Sequence, residues 1–111
     1  MPHLRFKAVP EKIVCDLSQT LPKELASVLQ TSEDNFSFES VQSNFYENGH
    51  RTSFYPFVEF AWFDRGQKVQ DQVAQIIYHR IKEVFPADYI TLVFLDLPKT
   101  SYYENGQHFG D

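Results

Sequence analysis

The chain has 111 residues, 42% of them hydrophobic and 16% aromatic, with eleven Phe; that excludes a disordered chain and suits one domain, 1–111. A net charge of −5 with no basic stripe argues against nucleic-acid binding, which draws on released phosphate counterions. No apolar run reaches the ~18–20 residues that span a bilayer, and no basic amphipathic helix marks a membrane surface. The start, Met1-Pro2-His3-Leu4-Arg5, lacks the apolar core of a signal peptide, and the one cysteine, Cys15, has no partner for an internal disulfide. The expected location is the cytoplasm.

In chain order, residues 2–9 alternate Leu4, Phe6 and Ala8 with other side chains, which predicts a strand with one packed face. Pro10 suits the opening of a helix. Ile13, Leu17, Leu21, Leu25 and Leu29 then fall every four residues and predict one apolar helix face. Pro22 lies inside that pattern and is expected to kink the helix or split it near Thr20. Residues 35–44 alternate imperfectly through Phe36, Phe38 and Val41 and predict a second strand.

The pattern then starts again. Residues 56–63 begin with Pro56 and alternate Val58, Phe60 and Trp62, which places Trp62 in the core. Asp64 is a candidate cap for the next helix, and Gly66 eases the turn. Val69, Val73, Ile77, Ile81 and Phe85 form the second apolar helix face. Residues 89–97, continuous and β-branched, read as a central strand. Tyr46-Glu47-Asn48-Gly49 recurs as Tyr103-Glu104-Asn105-Gly106. Asn-Gly alone marks a tight turn; the same four residues at matching places in both halves mark a duplication.

Two copies of a strand–helix–strand unit, about 2–50 and 56–108, predict an α+β two-layer sandwich: a four-stranded sheet with both helices on one face. The other face carries His3, Arg5 and Lys7 on the first strand and Phe57, Glu59 and Ala61 on the third. So many aromatics beside a bare, mixed face point to a partner subunit under closed symmetry.

With Pro2 directly after Met1, the duplicated βαβ unit and the stretch from Tyr55 to Gln75, the sequence resembles the tautomerase superfamily. That group includes 4-oxalocrotonate tautomerase, 5-carboxymethyl-2-hydroxymuconate isomerase and macrophage migration inhibitory factor. The tail from Ser101 to Phe109 also resembles the ends of the muconate isomerases. More closely, the chain is similar to an uncharacterised bacterial tautomerase-like group. The resemblance implies a homotrimer, no cofactor, and a small, anionic keto or enol substrate. It implies that Pro2, freed by loss of Met1, is the general base, and that Arg65 holds a substrate carboxylate. The chain departs from the family in having no Arg between residues 35 and 50, Arg51 being the nearest; either Arg65 works with Arg5 or Lys7, or the ligand is not a dicarboxylate.

The chemistry of these residues is consistent with such a role. A secondary amine among apolar walls and cations loses preference for its charged form and becomes a base near neutral pH. Arg65 suits a carboxylate or a developing enolate. Tyr46, Tyr102 and Tyr103 either line a pocket or pack an interface. Arg5 and Lys7 otherwise meet Glu residues of a neighbouring subunit. Of His3, His50, His79 and His108 none has metal-ligand spacing with another, so no metal site is expected. Cys15 reads as packing rather than as a nucleophile. The competing readings are a non-catalytic trimeric binding or interaction protein on the same scaffold, and an unrelated two-layer domain.

Overall fold

The period-two pattern of the first strand and the period-four stripes of the helices can be satisfied together only if the sheet buries one face. The computed structural model, which describes residues 1–110, has that arrangement. Strand β1 (His3–Lys7) leads into helix α1 (Glu11–Leu29) and strand β2 (Ser37–Val41). Strand β5 (Phe57–Trp62), helix α2 (Gln67–Val84) and strand β6 (Thr91–Asp96) repeat the unit. Between the units lies a hairpin of β3 (Phe45–Glu47) and β4 (His50–Thr52). A second hairpin, β7 (Tyr103–Glu104) with β8 (Gln107–His108), follows β6.

The main sheet runs β2-β1-β5-β6. Each unit contributes a parallel pair, and β1 meets β5 antiparallel with His3 opposite Ala61 and Lys7 opposite Phe57. The duplication extends to single hydrogen bonds. Ser37 N–H donates to the Pro2 carbonyl at 3.1 Å, and Thr91 N–H donates to the Pro56 carbonyl at 2.9 Å. Because the units face in opposite directions, the two prolines lie at opposite ends of the sheet.

The helix-side residues Leu4, Phe6, Val58, Phe60 and Trp62 are fully buried. Against them pack Leu17, Leu21 and Leu25 of α1 and Val73, Ile77 and Ile81 of α2. Trp62 is core as its parity predicts, with its indole N–H donating to Asp96 Oδ1 at 2.7 Å. Each such aliphatic side chain contributes about 1.5–3 kcal/mol on burial.

Several expectations change. Helix α1 is not split near Thr20 but runs from Glu11 to Leu29 through Pro22. The proline cost of ~3 kcal/mol is offset by Leu17, Leu21 and Leu25, which need one continuous helix to share the core. Strand β2 is shorter than predicted because Glu33–Asn35 form a 3₁₀ turn, with Ser32 Oγ accepting from Asp34 N–H. Strand β6 is an edge strand of this sheet, not a central one, and its Leu95 is 41% exposed. Continuous apolar sequence reports burial on both faces, which neighbouring strands alone do not supply. Cys15 is exposed on α1 rather than packed.

Both Asn-Gly pairs are tight hairpin turns, with positive φ at Asn48, Gly49, Asn105 and Gly106. Positive φ at both central residues matches the turn that joins right-twisted strands.

Candidate functional site

Pro2 and Arg65 come to one end of the sheet because β1 and β5 are antiparallel. Pro2 heads β1 and is fully buried. Arg65 lies in the turn that leaves β5 beyond Trp62, at the same end. Its side chain is exposed and makes no ion pair among the described residues. The ammonium of Met1 donates to the Asn35 carbonyl at 2.9 Å. With Met1 in place, the Pro2 nitrogen is an amide without basic character.

The turn that carries Arg65 is built from its neighbours. Asp64 Oδ1 accepts from the Gly66 N–H at 2.8 Å. Asp64 therefore closes a turn two residues before the helix cap and is not the cap itself. The cap position is Gly66, at φ 92° and ψ 161°, without a side-chain hydrogen bond. That backbone region is essentially restricted to glycine. Arg65 is thus held between an Asx-type turn and the first turn of α2.

The C-terminal hairpin comes back to this end. Tyr102 meets Phe63 edge-on at 5.2 Å between ring centroids, and Phe109 packs on both. Lys99 places its ammonium 5.7 Å from the Phe63 ring centroid. Tyr102 donates its hydroxyl to Glu104, and that hydrogen bond foremost raises the phenol above its ordinary value of 10.0. Tyr103 is 60% exposed and edge-on to His108, so its hydroxyl is open to solvent or a partner. Phe63 and Lys99 escaped the sequence reading, since neither belongs to a periodic stripe. A cation just after Pro98, in the segment returning from β6, is the weak signal that marks Lys99.

Arg5 and Lys7 lie on the bare sheet face and point along a different line of chemistry. Glu59 Oε1 is 3.3 Å from Arg5 and 3.7 Å from Lys7. Glu39 Oε1 is 2.8 Å from His3 Nε2 and 3.2 Å from Arg5 Nε. The Arg5 Nε hydrogen is not aligned on that oxygen, which leaves this buried nitrogen in ion-pair range without a hydrogen bond. The hydrogen bond from His3 holds the Glu39 carboxyl below its ordinary 4.5; desolvation opposes this, and the charge of Arg5 adds to it. Lys7 ends β1 far from Pro2, and within this chain Arg5 and Lys7 already pair with Glu39 and Glu59, where Glu residues of a neighbouring subunit were expected.

Four clefts lie elsewhere. Two border the first hairpin, a third lies between Phe54 and the end of α2, and a fourth, about 430 Å³, runs beside Cys15 and Glu39. Neither Pro2 nor Arg65 lines any of the four. No cluster of three or more metal-ligating side chains occurs among the described residues. No helix among them is long and apolar enough to cross a membrane.

A mixed four-stranded sheet of two βαβ units with both helices on one face is the tautomerase/MIF-like fold. The macrophage migration inhibitory factor-like protein of Entamoeba histolytica superposes with a TM-score of 0.75 at 14% identity, over 97% of this chain and 98% of its own. A fused 4-OT described as a wild-type asymmetric trimer superposes at 0.81 with 15% identity, over 96% of this chain and 94% of its own. At such identities the likeness is one of fold. The chain belongs to the family described as "Domain of unknown function (DUF1904)", whose model matches residues 1–108. It is similar to a protein from Vibrio cholerae O1, at 44% identity and TM-score 0.87 over 97% of this chain and 87% of that one. It is also similar to a DUF1904 protein of Sebaldella termitidis, at 33% identity and TM-score 0.91 over 98% of this chain and all of that one. Comparison with curated proteins finds no match.

Proposed function

We propose that the chain is a cofactor-independent tautomerase or isomerase acting on a small anionic keto or enol compound, with Pro2 as general base once Met1 is removed. The observation that carries this reading is the pairing of a buried Pro2 with the exposed cation Arg65 at one end of the sheet. A free α-amine ordinarily has a pKa near 8, and burial beside cations lowers it toward neutrality. The amine takes a proton from the carbon next to the substrate carbonyl. Arg65 holds the carboxylate and the charge gathering on the enolate oxygen. The protonated amine then returns the proton to another carbon or to oxygen, and no redox partner is needed. Lys99 is a second cation at this end and offsets the missing Arg of the second strand.

The working unit in this reading is a homotrimer. In support, the bare face carries half-buried charges, and β2 and β6 have unpaired outer edges. The fused 4-OT neighbour is itself described as a trimer. Tyr103 and Arg5 contribute where a neighbouring subunit completes the site, and a lone cysteine suits the reducing cytoplasm.

The test is ketonisation of an arylenolpyruvate followed by absorbance, comparing protein lacking Met1 with its Pro2→Ala variant. The expected loss in Pro2→Ala is at least ~100-fold, as for removal of a general base. Equal rates above the uncatalysed reaction refute the proline base. Retained Met1 favours the second reading, a non-catalytic trimeric small-molecule binding or interaction protein, because the Pro2 nitrogen then stays an amide.

A further inference from the structure

At the opposite end of the sheet from Pro2, the segment joining the repeats forms three adjoining clefts of about 430, 340 and 470 Å³, all lined by Phe54. Phe54 is half exposed. It stacks on Phe45 with centroids 4.7 Å apart and planes within 17°. Its other neighbour Tyr55 packs edge-on against Tyr89 at 5.4 Å. The largest of the three clefts has Phe45, Phe54, Phe85 and Pro10 as apolar walls. Hydroxyls and an amide complete its rim, and its one ionised lining residue is Arg51.

Arg51 is held in place but not neutralised. Its guanidinium donates to the side-chain oxygen of Asn44, a neutral acceptor. No carboxylate lies within ion-pair range of it among the described residues. By contrast Arg5, Lys7 and Arg80 all have carboxylate partners. A single uncompensated guanidinium beside stacked phenyl rings is complementary to one carboxylate on an apolar body. The volume falls in the range of small-molecule sites and suits one ring with a short acidic arm.

We propose that this cleft binds a small aryl-alkyl monocarboxylate, its ring against Phe45, Phe54 and Phe85 and its carboxylate on Arg51. The site uses neither Pro2 nor Arg65, so it stands or falls independently of the tautomerase reading. It gives the first repeat a ligand position of its own, at the end of the sheet headed by Pro56.

The test is titration of the full chain with 3-phenylpropionate, followed by backbone amide shifts, alongside the neutral 3-phenylpropionamide. Saturable shifts grouped at residues 43–54 and at Phe85 are expected, with the amide analogue binding at least ~10-fold more weakly. Arg51→Gln should weaken the acid about 10-fold and leave the amide unchanged, while Arg65→Gln changes neither. Should Arg51→Gln disturb the hairpin, Arg51→Lys, which keeps the charge but loses the fork, is expected to bind with intermediate affinity. No saturable shift at millimolar acid, shifts grouped at the Pro2 end, or equal affinity in both Arg51 variants and the parent overturns the proposal. So does protection of residues 43–54 from amide exchange that rises with protein concentration, beyond what the β3–β4 hairpin bonds give one chain, since a second copy then covers the cleft.

Discussion

Gly66→Ala isolates the backbone that carries Arg65. Gly66 stands at φ 92° and ψ 161°, where a side chain costs about 1–3 kcal/mol. A Cβ there meets no atom within 4 Å, so no clash adds to that figure. Alanine also stiffens the unfolded chain, which returns about 0.4–1 kcal/mol to the folded state. At mid-range the net loss expected is about 1.3 kcal/mol, or a fall of roughly 6 °C in Tm for a domain of this size. Urea unfolding followed by circular dichroism, at one fixed protein concentration, reads the difference. An unchanged midpoint with an unchanged slope refutes the reasoning, since it means that the turn accepts a side chain without strain. The same variant should weaken anion binding at Arg65, because relaxing the glycine backbone breaks the Asp64 bond to the Gly66 N–H.

Three further outcomes follow from particular contacts. Trp62→Phe removes a fully buried indole and its bond to Asp96, and the exposed Asp96 regains water; the expected cost is about 2–4 kcal/mol by urea unfolding. Glu39 has its carboxyl held below 4.5 in the folded chain, so its contribution to stability is present above pH 4.5 and is lost as pH falls through the lower folded value. Glu39→Gln should therefore flatten the acid limb of a Tm-against-pH curve, and an unchanged limb contradicts the bond from His3. Arg65→Gln should raise KM for an enol acid about 10-fold or more with a smaller effect on kcat if Arg65 clamps the substrate carboxylate, and an unchanged KM removes it from the site.

The architecture was legible because its signals were periodic and repeated. Leu4, Phe6, Val58, Phe60 and Trp62 alternate in the sequence and are all buried in the fold. The twin Tyr-Glu-Asn-Gly segments marked two hairpins and the duplication at once. Context defeated the local rules elsewhere. Pro22 obeys its own propensity less than the leucines around it, and residues 89–97 read as central although their outer edge is open. The site was legible only in part. Pro2 and Arg65 were found through a resemblance, and the antiparallel register that brings their ends together is a tertiary fact. Phe63 and Lys99 were missed because aromatic and cationic residues in loops carry no period. The ion ladder was half visible: parity placed Arg5, Lys7 and Glu59 on one face, but Glu39 joins them only through the pairing of β1 with β2.

The most direct test of the central claim is intact mass of untagged protein from cells, before and after reaction with bromopyruvate. The proline-base reading expects a mass lacking Met1 and a single adduct mapped by peptide fragmentation to the Pro2 nitrogen, formed more slowly in Arg65→Gln. A mass that retains Met1, or an adduct confined to Cys15, contradicts it and leaves the scaffold as a binding protein.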